Sequence, residues 1–252
     1  MPATGTFSAA ESDWSWGVDG CRSGWFAVAI ASTSDWRFAR HDTLHDLEAA
    51  LPPATLKLID IPIGLPEHTA RRCDREVRKL LGRSWASSIF PVPCRDAVYA
   101  PDYATACALN ARRLGVKLSR QSWGIVPKIR EMDAYLRGSG GENWRESHPE
   151  LAFGALNGNQ PMQHGKKTPE GNRERRALLS AYLGATEQLF ESARKLYRRR
   201  DVADDDILDA LVLAVTAWLS QGDLSSVPAE PEADPLGLPM EIVFRKNPAG
   251  QV

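Results

Sequence analysis

Asp19 closes a stretch of alternating apolar residues that begins at Trp14, and Gly20 follows it directly. Asp60 stands at the end of a second apolar stretch, just before Pro62. Far along the chain, Asp204-Asp205-Asp206-Ile207-Leu208-Asp209 runs straight into an apolar segment with no room for a solvated face. Acids in a first helical turn are ordinary, because they cap free N–H groups and suit the helix dipole. Asp204 suits that capping role. Asp209 is different: it lies a full turn inside, on the side of Asp205 and Asp206 by the i, i+3 and i, i+4 spacing. A carboxylate there costs free energy unless it is paired or binds a cation. Carboxylates drawn together from three such places would repel one another unless divalent cations neutralised them. Mg²⁺ and Mn²⁺ are the natural occupants, since these hard ions prefer carboxylate oxygen and water. Two of them about 4 Å apart can activate a water and stabilise the leaving oxygen of a phosphodiester. Taken singly, each acid has an ordinary alternative: Asp19 as a turn residue and Asp60 as a cap of the next turn.

The elements that would position these acids are legible in outline. Strands are expected over 14–19, 25–32 and 36–41 as a meander, followed by a helix from Leu44 with Thr43 as its N-cap. A fourth strand over 56–61, apolar except for Lys57 and Asp60, can lie parallel to the first. Asp19 and Asp60 would then project at one edge of the sheet, and the Asp206/Asp209 face could close over it. Residues 68–137 look helical, broken by the Pro-rich 90–93, and form an insertion at about 67–140. A fifth strand is expected near 142–147, a short helix from Pro149 to residue 156, a polar loop over 157–168 and one long helix over 172–199. The fold class expected is α/β, a mixed sheet flanked by helices with a helical insertion after the fourth strand. Residues 1–12 read as a disordered tail, 13–225 as the domain, and 226–252 as a Pro-rich linker with an edge strand over 240–245.

The placing of acids on a first strand, a fourth strand and a late helix resembles the RNase H-like fold. The chain as a whole is similar to the DUF429 family, described as a predicted nuclease with that fold. The likeness rests on Gly17-Val18-Asp19-Gly20-Cys21-Arg22-Ser23-Gly24-Trp25 and Ile59-Asp60-Ile61-Pro62-Ile63-Gly64-Leu65-Pro66. It continues through Arg72-Cys73-Asp74, the stretch from Gln121 to Asp133, and Glu146-Ser147-His148-Pro149-Glu150. Where the family has Gly, this chain has Ser23, a change the turn is expected to tolerate. Asp206-x-x-Asp209-Ala210-Leu211 is similar to the final helix of RuvC-type resolvases, and Glu146-x-x-Pro149-x-Glu150 to their fifth strand and following helix. The resemblance implies Asp19, Asp60, Asp206 and Asp209 as metal ligands, with Asp19 bridging two ions, Asp60 on one, and Asp206 with Asp209 on the other. It implies a metal-dependent nuclease acting on DNA or RNA.

A second group of residues could support that chemistry. Glu146 and His148 end the expected fifth strand, and a histidine beside clustered acids could shuttle a proton. Arg22, Lys128, Lys166 and Lys167 could meet substrate phosphates, as could Arg173, Arg175 and Arg176. Glu131 and Asp133 read as salt-bridge partners, and the insertion reads as a selector of substrate.

The 252 residues, 43% hydrophobic and 25% charged, allow one large domain, and a net charge of −1 advertises no polyanion partner globally. Cys21, Cys73, Cys94 and Cys107 have no metal spacing, as expected of reduced thiols in a cytoplasmic chain. No membrane span or signal-peptide core is evident. A homodimer is left open. Two alternatives stand beside the nuclease. One is an ATP-dependent phosphotransferase of the actin-like superfamily, against which the chain has no second related domain or phosphate loop. The other is a catalytically silent nucleic-acid-binding module.

Overall fold

The computed structural model describes residues 14–138 and 141–246; the expected tail over 1–12 lies outside them. Strands β1 (Trp14–Cys21), β2 (Gly24–Ile30) and β3 (Trp36–His41) form the expected antiparallel meander. Helix α1 (Leu44–Ala50) is capped by Thr43, whose hydroxyl accepts the Asp46 N–H at 3.1 Å. The chain then enters β4 (Ala54–Ile59), parallel to β1. Next come α2 (Arg72–Trp85), a 3₁₀ turn (Ala86–Ser88), α3 (Arg95–Val98), α4 (Tyr103–Leu114) and α5 (Arg120–Arg137). Strand β5 (Trp144–Glu146) resumes the sheet parallel to β4, giving the order β3-β2-β1-β4-β5. After it follow α6 (Pro149–Leu156), α7 (Pro169–Tyr182), α8 (Thr186–Leu196) and α9 (Asp204–Ser220). The chain ends in a hairpin of β6 (Leu224–Ala233) and β7 (Pro239–Arg245), joined to the main sheet by a Ser147–Val243 bridge.

Two expectations give way here. The single helix over 172–199 is two helices, because Leu183 turns extended and fully buried into the core. Its carbonyl then accepts from the Thr186 hydroxyl at 2.7 Å, which starts α8. The Pro-rich segment after 226 is strand β6 rather than a linker. A two-stranded ribbon leaves backbone N–H groups that need no partner, so Pro228 and Pro231 are accommodated, with a register shift between Val227 and Glu232.

Side chains alternate across the sheet into two cores. Trp16, Val18, Trp25, Ala27 and Ile59 pack under α1 and the insertion. Phe26, Val28, Leu56 and Leu58 pack under the helices that follow β5, chiefly the apolar α9. Gly17 belongs to this second face. A Cβ on it would lie 2.1 Å from the Ala210 carbonyl oxygen and 2.1 Å from the Ala214 nitrogen, so α9 rests its backbone directly on β1. That contact fixes the helix. With Ala210 over Gly17, the turn before it reaches past the end of β1, towards Asp19.

Candidate active site

Asp19 shares the α9 face of β1 with Gly17, and its Oδ1 accepts the Gly20 N–H at 2.7 Å. Asp60 leaves β4 one residue after its last strand position, and its N–H bonds to the Val18 carbonyl at 3.0 Å. The two carboxylates thus come from neighbouring parallel strands at the carboxyl edge of the sheet. Asp206 and Asp209 meet them from α9. Asp209 is 1% exposed and Asp19 8%. Burial lifts the Asp19 carboxyl well above its ordinary value, and Asp60, Asp209 and Asp206 each add to the shift. Burial, with Asp209 next, pushes Asp60 up to about 8. Asp206 rises to about 6, mainly through burial. The Asp209 carboxyl is raised by burial, against a pull from Lys166.

Lys166 comes from the loop before α7, which packs so closely that a Cβ on Gly171 would lie 2.1 Å from the Gly165 carbonyl oxygen. Its ammonium donates to Asp209 Oδ2 at 2.6 Å and lies 3.9 Å from Asp205. Burial alone would lower its pKa, yet Asp209 and Asp19 hold the ammonium well above its usual range. The sequence suggested a contact to a substrate phosphate; in the folded chain the Lys166 ammonium is held by the acids. The other Asp209 oxygen, Oδ1, is buried without a hydrogen-bond partner.

The remaining acids of the α9 start divide differently from their expected roles. Asp204 is the first helical residue rather than the cap, and pairs with Arg194 at 3.1 Å and Arg199 at 3.3 Å. Asp206 takes the capping work, accepting the Ala203 N–H at 2.7 Å.

A cavity of about 160 Å³ opens at this edge, lined by Asp19, Asp60, Lys128, Glu146 and His148 and walled by the insertion. Glu146 reaches it with both oxygens engaged: Arg71 Nη1 at 2.8 Å and Nη2 at 2.6 Å, and the Ile63 N–H at 2.7 Å. Burial lifts Glu146 to about 7 against the pull of Arg71. Burial lowers His148 to about 3, which keeps it neutral, and its Nδ1 has no partner. The Lys128 ammonium bonds to the Gly24 carbonyl and sits 4.3 Å from the Trp25 ring centroid. Arg22 is exposed on the β1–β2 turn, away from the cavity lining, and Lys167 is exposed beside Lys166. Arg175 cannot meet a phosphate as the sequence suggested, since it is fully buried against Glu150 at 2.8 and 3.0 Å.

Sequence reasoning missed Arg71, which is fully buried and holds Asp74 as well as Glu146. The Arg72-Cys73-Asp74 motif adjoins it, but nothing local marks Arg71 as an interior residue. Of the two expected salt-bridge acids, Asp133 is one, while Glu131 takes neutral hydrogen-bond donors instead. Asp133 pairs with Arg95 and Arg137, and Glu131 accepts from the Trp25 indole at 2.9 Å and the Leu44 N–H at 2.7 Å.

A five-stranded mixed sheet flanked by helices, with acids at the carboxyl edge of its central strands, defines an α/β fold of RNase H-like arrangement. Residues 17–233 match the family described as "Protein of unknown function (DUF429)", and the chain belongs to that family. No curated protein and no solved structure matches the chain. No helix among the described residues is long and apolar enough to cross a membrane. The four cysteines are free, buried thiols.

Proposed function

We propose that the chain is a divalent-metal-dependent phosphodiesterase acting on nucleic acid. The observation that carries this reading is the gathering of four carboxyl groups at one sheet edge, with Asp19 and Asp209 buried among them. Asp19, Asp60, Asp206 and Asp209 face one another with Lys166 as their close cation, and one Asp209 oxygen is buried unpaired.

The donor set suits a hard cation, being all carboxylate oxygen. Among the described residues no three acids, histidines or cysteines converge tightly enough to enclose an ion as they stand. The Lys166 ammonium holds the positive charge there instead. Asp19, Asp60 and Asp209, with the free edge of Asp206, would hold Mg²⁺ or Mn²⁺. Such an ion supplies Lewis acidity to an attacking water and to the leaving oxygen. His148, kept neutral by burial, lines the cavity with its Nδ1 buried and unpartnered, so it offers a neutral hydrogen-bonding group beside the acids rather than a base. Glu146 holds Arg71 and the Ile63 backbone in place beneath the cavity, which positions the loop after Asp60.

Purified protein supplied with Mn²⁺ is expected to cleave DNA or RNA from a mixed panel of single strands, duplexes and hairpins. Asp19→Asn is expected to abolish both cleavage and calorimetric Mn²⁺ binding. Identical traces for the two proteins would overturn the proposal.

A further inference from the structure

We infer that the site takes the free end of a single strand, with one terminal nucleoside in the recess beside the acids and the following phosphates in a neighbouring basic groove. This rests on the phosphodiesterase reading and adds the class of substrate.

The recess has two unlike walls. Asp19 and Asp60 form one, while Phe90, Val92 and Ile125 of the insertion face into the same space. Phosphate and cations have no use for an apolar wall; a base or sugar face has. At about 160 Å³ the recess is smaller than the roughly 300–1,000 Å³ of sites for drug-sized ligands, so it suits one ring system. A base pair is too large for a recess of that volume, so the nucleoside that enters it must be unpaired, as at the end of a single strand.

The wall is held firmly. Glu131 bridges the Trp25 indole and the first N–H of α1, tying α5 to the sheet. Arg130 donates to the Val98 and Ala100 carbonyls, and Arg95 pairs with both Asp133 and Asp234. These bonds tie α3 and α5 to the hairpin and the sheet, so the insertion is a fixed boundary of the site.

A second, open groove of about 660 Å³ adjoins the acids through Lys166 and Asp205. Six basic side chains line it against three acidic ones. All four of its arginines have acidic partners, as Arg173 has Glu170 and Arg199 has Asp204. Lys167 has no ion pair among the described residues. Placing a nucleoside in the recess and the adjoining phosphate at the acids leaves the next phosphates beside Lys167.

The test compares a linear single-stranded oligodeoxynucleotide with its covalently closed circle of the same sequence, by fluorescence anisotropy with Ca²⁺ and by gel with Mn²⁺. The linear strand is expected to bind at least about tenfold tighter and to be trimmed from an end, while the circle stays intact. Phe90→Ala should lower affinity about tenfold and Phe90→Trp should restore it, with unchanged melting temperatures. Lys167→Ala should reduce the slope of log affinity against log salt by about one. Equal affinity for strand and circle, or binding of neither, overturns the inference. Asp19-dependent nicking of the circle would also overturn it while leaving the phosphodiesterase reading intact. Tight, Phe90-sensitive binding of linear ends without Mn²⁺-dependent cleavage would do the reverse.

Discussion

Glu146 and Asp209 are both buried carboxylates at the same end of the sheet, yet their surroundings are opposite in kind. Glu146 meets a planar guanidinium with two bonds and a backbone N–H with a third, and Arg71 is in turn completed by Asp74. Every charge has a geometric match, as the fork of an arginine allows. Asp209 meets one ammonium, from a lysine whose side chain is 36% exposed, and its second oxygen has nothing. Asp205, Asp206, Asp19 and Asp60 press on it. The first arrangement is a finished ion network that holds the fold; the second is short of positive charge. The contrast shows that burial of an acid says little about its role until its partners are counted.

Breaking the finished network should have the largest effect. Arg71→Ala leaves Glu146 and Asp74 buried without the cation that pairs them and is expected to cost about 3–5 kcal/mol in urea unfolding. On the proposed reading, Asp19→Asn should keep the fold while lowering Mn²⁺-dependent cleavage about 10³-fold, equivalent to several kcal/mol of transition-state stabilisation. Lys166→Met should tighten Mn²⁺ binding about tenfold, read by calorimetry, because the ion no longer competes with the ammonium. Weaker binding would mean that Lys166 holds the site in its ion-ready form. Asp209→Asn should change the stability of chelated protein by less than about 1 kcal/mol, since Lys166 regains solvent and repulsion among the acids is relieved. A loss as large as that of Arg71→Ala would erase the contrast.

A further effect is one of pH. Asp60 and Asp206 are raised to about 8 and about 6, so the folded protein binds protons that the unfolded chain releases above about pH 4. The stability these groups contribute is therefore complete below pH 4 and is lost as pH rises through 6 and then 8. In EDTA the melting temperature of wild type, relative to Asp60→Asn, should fall across that window. A difference that grows with pH would contradict the unpaired state of the acids.

Much of the fold was legible because it is written in local pattern. Alternation in β1 and β2, the Thr43 cap, the Pro149 start of α6 and the apolar run of α9 all act within a few residues. Asp19, Asp60 and Asp206 were legible because each lies at an end of such an element, and Asp209 because it is an acid inside an apolar helix. The break at Leu183 was not, since it depends on which side chain the core accepts. Nor was β6, whose prolines read as a linker until a partner strand is known.

By itself, the sequence determined strands β1 to β5 in order, the late apolar helix, and the positions of Asp19, Asp60, Asp206 and Asp209 along them. Tertiary structure alone decided that Gly17 seats α9 on β1, that Lys166 meets Asp209, and that Arg71 completes Glu146. Those partners lie 43 and 75 residues apart in the chain. Periodicity and capping act over a turn or two, whereas the pairing of buried charges is settled only by which surfaces the folded chain brings together.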